Sequence, residues 1–147
     1  MDGLIEKLEW SEKIMIHDHS IDNDHKKIFN LINEIIEMEE LYPRSENLAI
    51  ILSQLSDYGL RHFKKEEKLM ERLGYPNIEK HRKSHLEYIY KVSMFNLNFK
   101  EANCTEPAAV IKFIRDWWYS HILKMDMHLK NYIKADPGMS NAEEWIK

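Results

Sequence analysis

The chain has 147 residues, 44% of them hydrophobic, a formal net charge of -4 and a single cysteine. That length suits one domain with its own core, and the mixed, mildly acidic charge argues against nucleic acid as the main partner. No apolar run is long enough to span a bilayer, the acidic opening MDGLIEKLEW does not read as a secretory signal, and one cysteine (Cys104) excludes an internal disulfide and fits a cytoplasmic setting.

Only four glycines and four prolines punctuate the chain, as expected where long helices dominate. Residues 1–20 carry Leu4, Ile5, Leu8, Trp10, Ile14 and Ile16 without a helical period. They read as an N-terminal arm lying against the body, with Trp10 as its anchor. A first helix is expected over 22–40, capped by Asp22. Its stripe is His25, Ile28, Phe29, Ile32, Ile35 and Ile36, the i, i+3, i+4, i+7 pattern of an amphipathic helix. Ser45 is the expected cap of a second helix over 46–73, whose stripe runs through Leu48, Ile51, Leu52, Leu55, Tyr58, His62, Glu66, Leu69, Met70 and Leu73.

Gly74 and Pro76 end that helix, and a third is expected over 77–102 with Ile78, His81, His85, Tyr88, Ile89, Val92, Phe95 and Phe99 inward. After a loop with Cys104, Thr105 and Pro107 mark the start of a fourth helix over 106–135. Its stripe includes Val110, Phe113, Ile114, Trp117, Trp118, His121, Met125, Leu129, Tyr132 and Ile133. Pro137 and Gly138 stop it, and a tail over 137–147 is expected to pack back through Trp145. Four long segments joined by short breaks predict an all-α fold, an antiparallel up-down-up-down four-helix bundle forming one domain.

The histidines decide what the bundle is for. His62 and Glu66 are four apart, and so are His81 and His85, so each pair shares a helix face, in register with the apolar stripe. An inward, unpaired carboxylate is costly, so Glu66 needs a cation or a dense hydrogen-bond network. His25 and His121 also fall on inward stripes. Asp126, five residues after His121, is turned away on a regular α-helix. It reaches the gap either from the flank or through a local π-type turn. Five imidazoles and two carboxylates exceed what one metal accepts and suit two transition metals. Lys64, Lys65 and Lys68 are expected on the solvated face, Glu67 beside the site, and His17, His19 and His128 in solvent.

His25 within I-D-x-x-H, H-F-x-x-E-E at 62–67, H-x-x-x-H at 81–85, W-x-x-x-H ending at His121 and H-x-x-x-x-D at 121–126 resemble the hemerythrins, in particular the bacterial single-domain kind. The resemblance covers roughly residues 10–135. It implies a cofactor of two iron ions in a non-haem di-iron centre with an oxo or hydroxo bridge, and reversible binding of O2 for transport, storage or delivery. His81, His85 and His121 would ligate one iron and His25 and His62 the other, with Glu66 and Asp126 bridging. Phe63, Trp117, Trp118 and Ile122 are expected to wall the O2 pocket. Where the family commonly has Trp-Leu before the last histidine, this chain has Trp117-Trp118, and the bulkier Trp118 is expected to narrow the pocket or change its access. Nothing in the sequence marks an acid–base pair or substrate pocket beyond the metal site, so no enzyme is expected. The alternatives are an O2 or redox sensor acting through a partner, and a di-iron enzyme acting on peroxide or nitric oxide.

Overall fold

A computed structural model of the chain describes residues 5–16, 18–38, 46–97 and 106–135. The expected caps Ser45 and Thr105, and His17, Phe99, Cys104 and the tail with Trp145, lie outside the described residues. Helices α1 (His19–Glu37), α2 (Glu46–Leu73), α3 (Ile78–Leu97) and α4 (Pro107–His121) form a bundle. Beyond α4 the chain continues through a π-helical turn, Ile122–Asp126, into α5 (Met127–Ala135). The principal contacts run α1 to α2, α2 to α3, α3 to α4 and α4 back to α1. This is the ring of neighbours that an antiparallel bundle with sequential short connections must give. Among the described residues no helix is long and apolar enough to cross a membrane.

Two boundaries differ from expectation. The first helix begins at His19, not Asp22, and its cap is Asp18, whose carboxylate accepts from the Ile21 amide at 3.1 Å. Asp22 lies one turn inside, buried, and accepts from the Ile16 amide at 2.9 Å, which pins the segment preceding the helix. Both aspartates bond backbone amides, but only Asp18 has the extended backbone of a cap. At the start of α4 the cap position is Glu106, with no side-chain hydrogen bond, and Pro107 occupies the first turn, where its missing N–H costs nothing.

The end of α2 is set by Gly74, at φ 64°, a left-handed conformation that glycine adopts without a Cβ penalty. The Tyr75 amide then reaches back to the Met70 carbonyl at 3.0 Å, closing the helix terminus. That tight reversal makes α3 antiparallel to α2.

The core is layered. Toward one end Ile28, Phe29, Ile32, Leu52, Leu55, Val110, Ile111 and Ile114 pack together, with Leu8 and Ile14 laid against them from the N-terminal segment. Toward the other end Ile16, Ile21, Leu69, Met70, Leu73, Tyr75 and Leu129 form a second apolar group. Each such side chain contributes about 1.5–3 kcal/mol by leaving water. Along α1, α2 and the α4–α5 rod the polar inward residues fall in sequence between these two groups, so the bundle carries a polar layer between apolar ones. Trp10 is half-buried and meets Phe29 edge-on at 5.7 Å, while Leu8 exchanges two backbone hydrogen bonds with the Asn33 amide group, at 2.7 and 2.8 Å.

Candidate metal centre

All seven side chains singled out in the sequence lie in the polar layer: His25, His62, Glu66, His81 and Asp126 are fully buried, and His85 and His121 nearly so. Their Nε2 atoms converge. His25 and His62 approach to 2.9 Å, and His121 lies 3.1 Å from both His81 and His85. The ligand atoms fall into two compact sets, Glu66 with His81, His85 and His121, and Glu66 with His25, His62 and Asp126.

The two carboxylates divide their oxygens between these sets. Glu66 Oε2 lies 2.8 Å from His62 Nε2, while its Oε1 touches His81 and stands 3.4 Å from His85 Nε2. Asp126 Oδ2 lies 3.2 Å from His25 Nε2, and its Oδ1 lies 3.1 Å from His81 and 3.3 Å from His121. Asp126 arrives there through the π turn: the Met127 amide reaches the Ile122 carbonyl five residues back, and the extra residue brings Asp126 onto the face of His121. Met125, expected inward, is displaced to a half-buried position. Of the two routes open to Asp126 in the sequence, the backbone takes the second.

The four carboxylate oxygens of Glu66 and Asp126 find no backbone or hydroxyl donor among the described residues and face the site imidazoles instead. Burying two carboxylates costs several kcal/mol each unless cations or protonated imidazoles offset their charge. Imidazole nitrogens 3 Å apart, aimed at one another and at two carboxylates, are a donor arrangement that fits cations. The donor set of imidazole and carboxylate suits iron, zinc or manganese, and the residues fit two such ions.

Within the cluster itself, the charges of carboxylates and imidazoles shift one another's titration. Burial disfavours the His62 imidazolium, but the charge of Glu66 and the carboxylates of Asp24 and Glu66 beside its two nitrogens outweigh it and raise its pKa to about 9. His81 is likewise penalised by burial, yet Asp126 and Glu66 raise it to about 10. Burial works against the charged form of both carboxylates. The His62 charge and the histidine hydrogen bonds still hold Glu66 well below its ordinary value, and His121 and His25 hold Asp126 below its own.

The outer nitrogens of two imidazoles are anchored by hydrogen bonds. His85 Nδ1–H donates to Glu67 Oε2 at 2.9 Å, and Arg82 bonds the same carboxylate from the surface. His121 Nδ1 meets the Ser84 hydroxyl at 3.0 Å, while His62 Nδ1 faces Asp24 at 3.6 Å, an electrostatic contact longer than a hydrogen bond. A carboxylate partner, which can only accept, puts the proton of His85 on Nδ1 and leaves its Nε2 lone pair facing the other ligand atoms. Glu67 was legible from its place beside Glu66. Asp24 and Ser84 were missed, because they lie off the inward stripes and only helix packing brings them to an imidazole. Lys65, expected in solvent, is exposed but also bonds Ser20 and Asp24, both at 2.7 Å, and ties α2 to α1. His19 and His128 are exposed, as expected.

Aromatic rings enclose the centre. Phe63 is buried and stacked between His85, at 4.0 Å, and Trp118, at 5.3 Å. Trp118 is fully buried, 5.8 Å from the His62 ring and 6.5 Å from the His25 ring, and Ile122 is buried beside them. Trp117 is only half-buried and lies flat on His121 at 4.5 Å.

The model of the hemerythrin HHE cation-binding domain matches residues 17–133. Bacteriohemerythrin of Clostridium acetobutylicum is 28% identical over 123 residues, covering 80% of this chain and 94% of that protein. Bacteriohemerythrin of Pseudomonas aeruginosa PAO1 is 31% identical over 122 residues, covering 81% of this chain and 76% of that protein. A crystal structure of wild-type hemerythrin superposes with a TM-score of 0.71 at 26% identity, covering 86% of this chain and 95% of that one.

Proposed function

The chain belongs to the hemerythrin family, and from that premise we propose that it binds O2 reversibly at two iron ions, as a carrier, store or delivery protein. The observation that carries this reading is the division of Glu66 and Asp126, each with one oxygen toward either set of imidazoles. His81, His85 and His121 would hold one iron, His25 and His62 the other, with the two carboxylates and a solvent-derived oxo or hydroxo group between them. The set of His25 and His62 offers one imidazole fewer, and O2 would be taken up on that side.

When bound, a ferrous pair supplies two electrons to O2 and recovers them on release. This chain's own residues bias that exchange toward reversal. Five neutral imidazoles against two carboxylates place little negative charge on the metals, which disfavours the high-valent chemistry of carboxylate-rich di-iron bundles. Phe63, Trp118 and Ile122, buried around the histidines, keep out the water and protons that would trap oxidised iron. With Trp117 they form the proposed wall of the O2 pocket. Glu67 holds His85 in the ligating tautomer, and Ser84 and Asp24 stand beside the outer nitrogens of His121 and His62.

Oxygen uptake by the ferrous-loaded chain tests this reading. One O2 per two irons, recovered on degassing, is the expected result. Continuous consumption of O2, peroxide or nitric oxide with turnover would replace the carrier with an enzyme.

A further inference from the structure

Of the five site imidazoles, His85 alone joins its outer nitrogen by a hydrogen bond to a charged group, Glu67 Oε2 at 2.9 Å. His121 meets the hydroxyl of Ser84, and Nδ1 of His25, His62 and His81 has no hydrogen-bond partner among the described residues. From Glu67 the contacts continue outward. Its other oxygen, Oε1, accepts from Arg82 Nε at 3.3 Å. The two remaining guanidinium nitrogens are held as well, Nη1 donating to Glu79 at 2.7 Å and Nη2 to Glu71. Arg82 and His85 are three apart on α3, so Glu67 reaches both from α2. On the other ligand set the matching contacts are looser: Lys65 bonds Asp24 at 2.7 Å, but Asp24 stands 3.6 Å from His62 Nδ1.

A metal-bound imidazole donates more strongly when its outer N–H is held by a carboxylate, and a stronger donor favours ferric over ferrous iron. A guanidinium on the far oxygen of that carboxylate offsets its charge and weakens it as an acceptor. We propose that Arg82 is a positioning residue for the di-iron centre: acting through Glu67, it limits the donation of His85 and so favours the ferrous state from which O2 is taken up. The inference deepens the di-iron reading above and rests on it. A carrier stays in service only while its irons return to the ferrous state after each release. Arg82 acts on that balance from the surface, touching neither metal nor ligand, and no electron or proton moves along the contacts.

Mediated redox titration of the iron-loaded chain tests this, together with NMR of the His85 Nδ1 proton in the metal-free chain. Arg82→Gln is expected to raise the ferric-to-ferrous ratio at a fixed potential about tenfold (~59 mV for one electron). Glu67→Gln should move the ratio the other way. Arg82→Lys, which keeps the charge but not the fork, should recover part of the loss. Lys83→Gln, at an exposed neighbour on α3, removes the same charge and should change little. In the Glu67→Gln background, Arg82→Gln should add nothing, because the residue it acts through is gone. The Nδ1 proton should move downfield in Arg82→Gln and upfield in Glu67→Gln. Equal shifts of potential in Arg82→Gln and Lys83→Gln, or a full effect of Arg82→Gln without Glu67, would overturn the proposal. So would an unmoved Nδ1 proton, which needs no iron to observe. Absence of reversible O2 binding in the wild type would overturn the carrier reading, while the potentials and the proton shift judge Arg82 separately.

Discussion

At the scale of single residues, the centre depends on Glu66 more than on any one imidazole, because Glu66 belongs to both ligand sets. Glu66→Ala is expected to lose both irons, and metal analysis of the purified variant checks it; two irons retained per chain would contradict the assignment. The metal-free chain offers a separate check. His62 and His81 are raised from 6.5 to about 9 and about 10. Their stabilising charge is therefore complete below pH 6.5 and is lost as pH climbs through those values. Glu66 and Asp126 are lowered, so their contribution is present above the ordinary carboxylate range and fades only in stronger acid. Denaturant midpoints of the metal-free chain should thus be higher at pH 6 than at pH 10, and the difference should shrink in His62→Ala. A midpoint that rises between pH 6 and pH 10 would contradict the charge-paired cluster.

At the scale of elements, the π turn is the device that completes the site. It places Asp126 five residues after His121 on one face, where a regular helix places the fourth residue. Deleting the exposed Lys124 should convert the turn to α-helix, leave the aspartate four residues after His121, and preserve iron binding. Inserting one alanine at the same point should carry the aspartate off the face and abolish binding. Iron analysis of the pair is decisive, since loss in the deletion variant would mean that the π backbone itself, and not the facing it produces, is required. The sequence left this element open because spacing alone cannot distinguish a flanking side chain from a wound backbone. Capping was read imperfectly for a related reason: Asp18 and Asp22 are both suitable residue types, and only the folded backbone decides which one is free to cap.

At the scale of the molecule, the bundle was legible because proline and glycine cut the chain into four stripes of helical period. The site was legible because polar residues interrupt those stripes in register. A buried histidine on an apolar face leaves a mark in the sequence; a partner such as Ser84 or Asp24, which meets an imidazole only across a helix interface, leaves none. The same layering gives the protein its logic. Apolar groups on both sides hold the polar layer away from water, while ligand atoms short of hydrogen bonds suit that layer to cations. The central claim is reversibility, and visible absorption of the ferrous-loaded chain through repeated cycles of air and degassing tests it most directly. An oxygen-dependent charge-transfer band that returns in each cycle is the predicted result. A band that never forms, or that decays to a spectrum no degassing reverses, would contradict it.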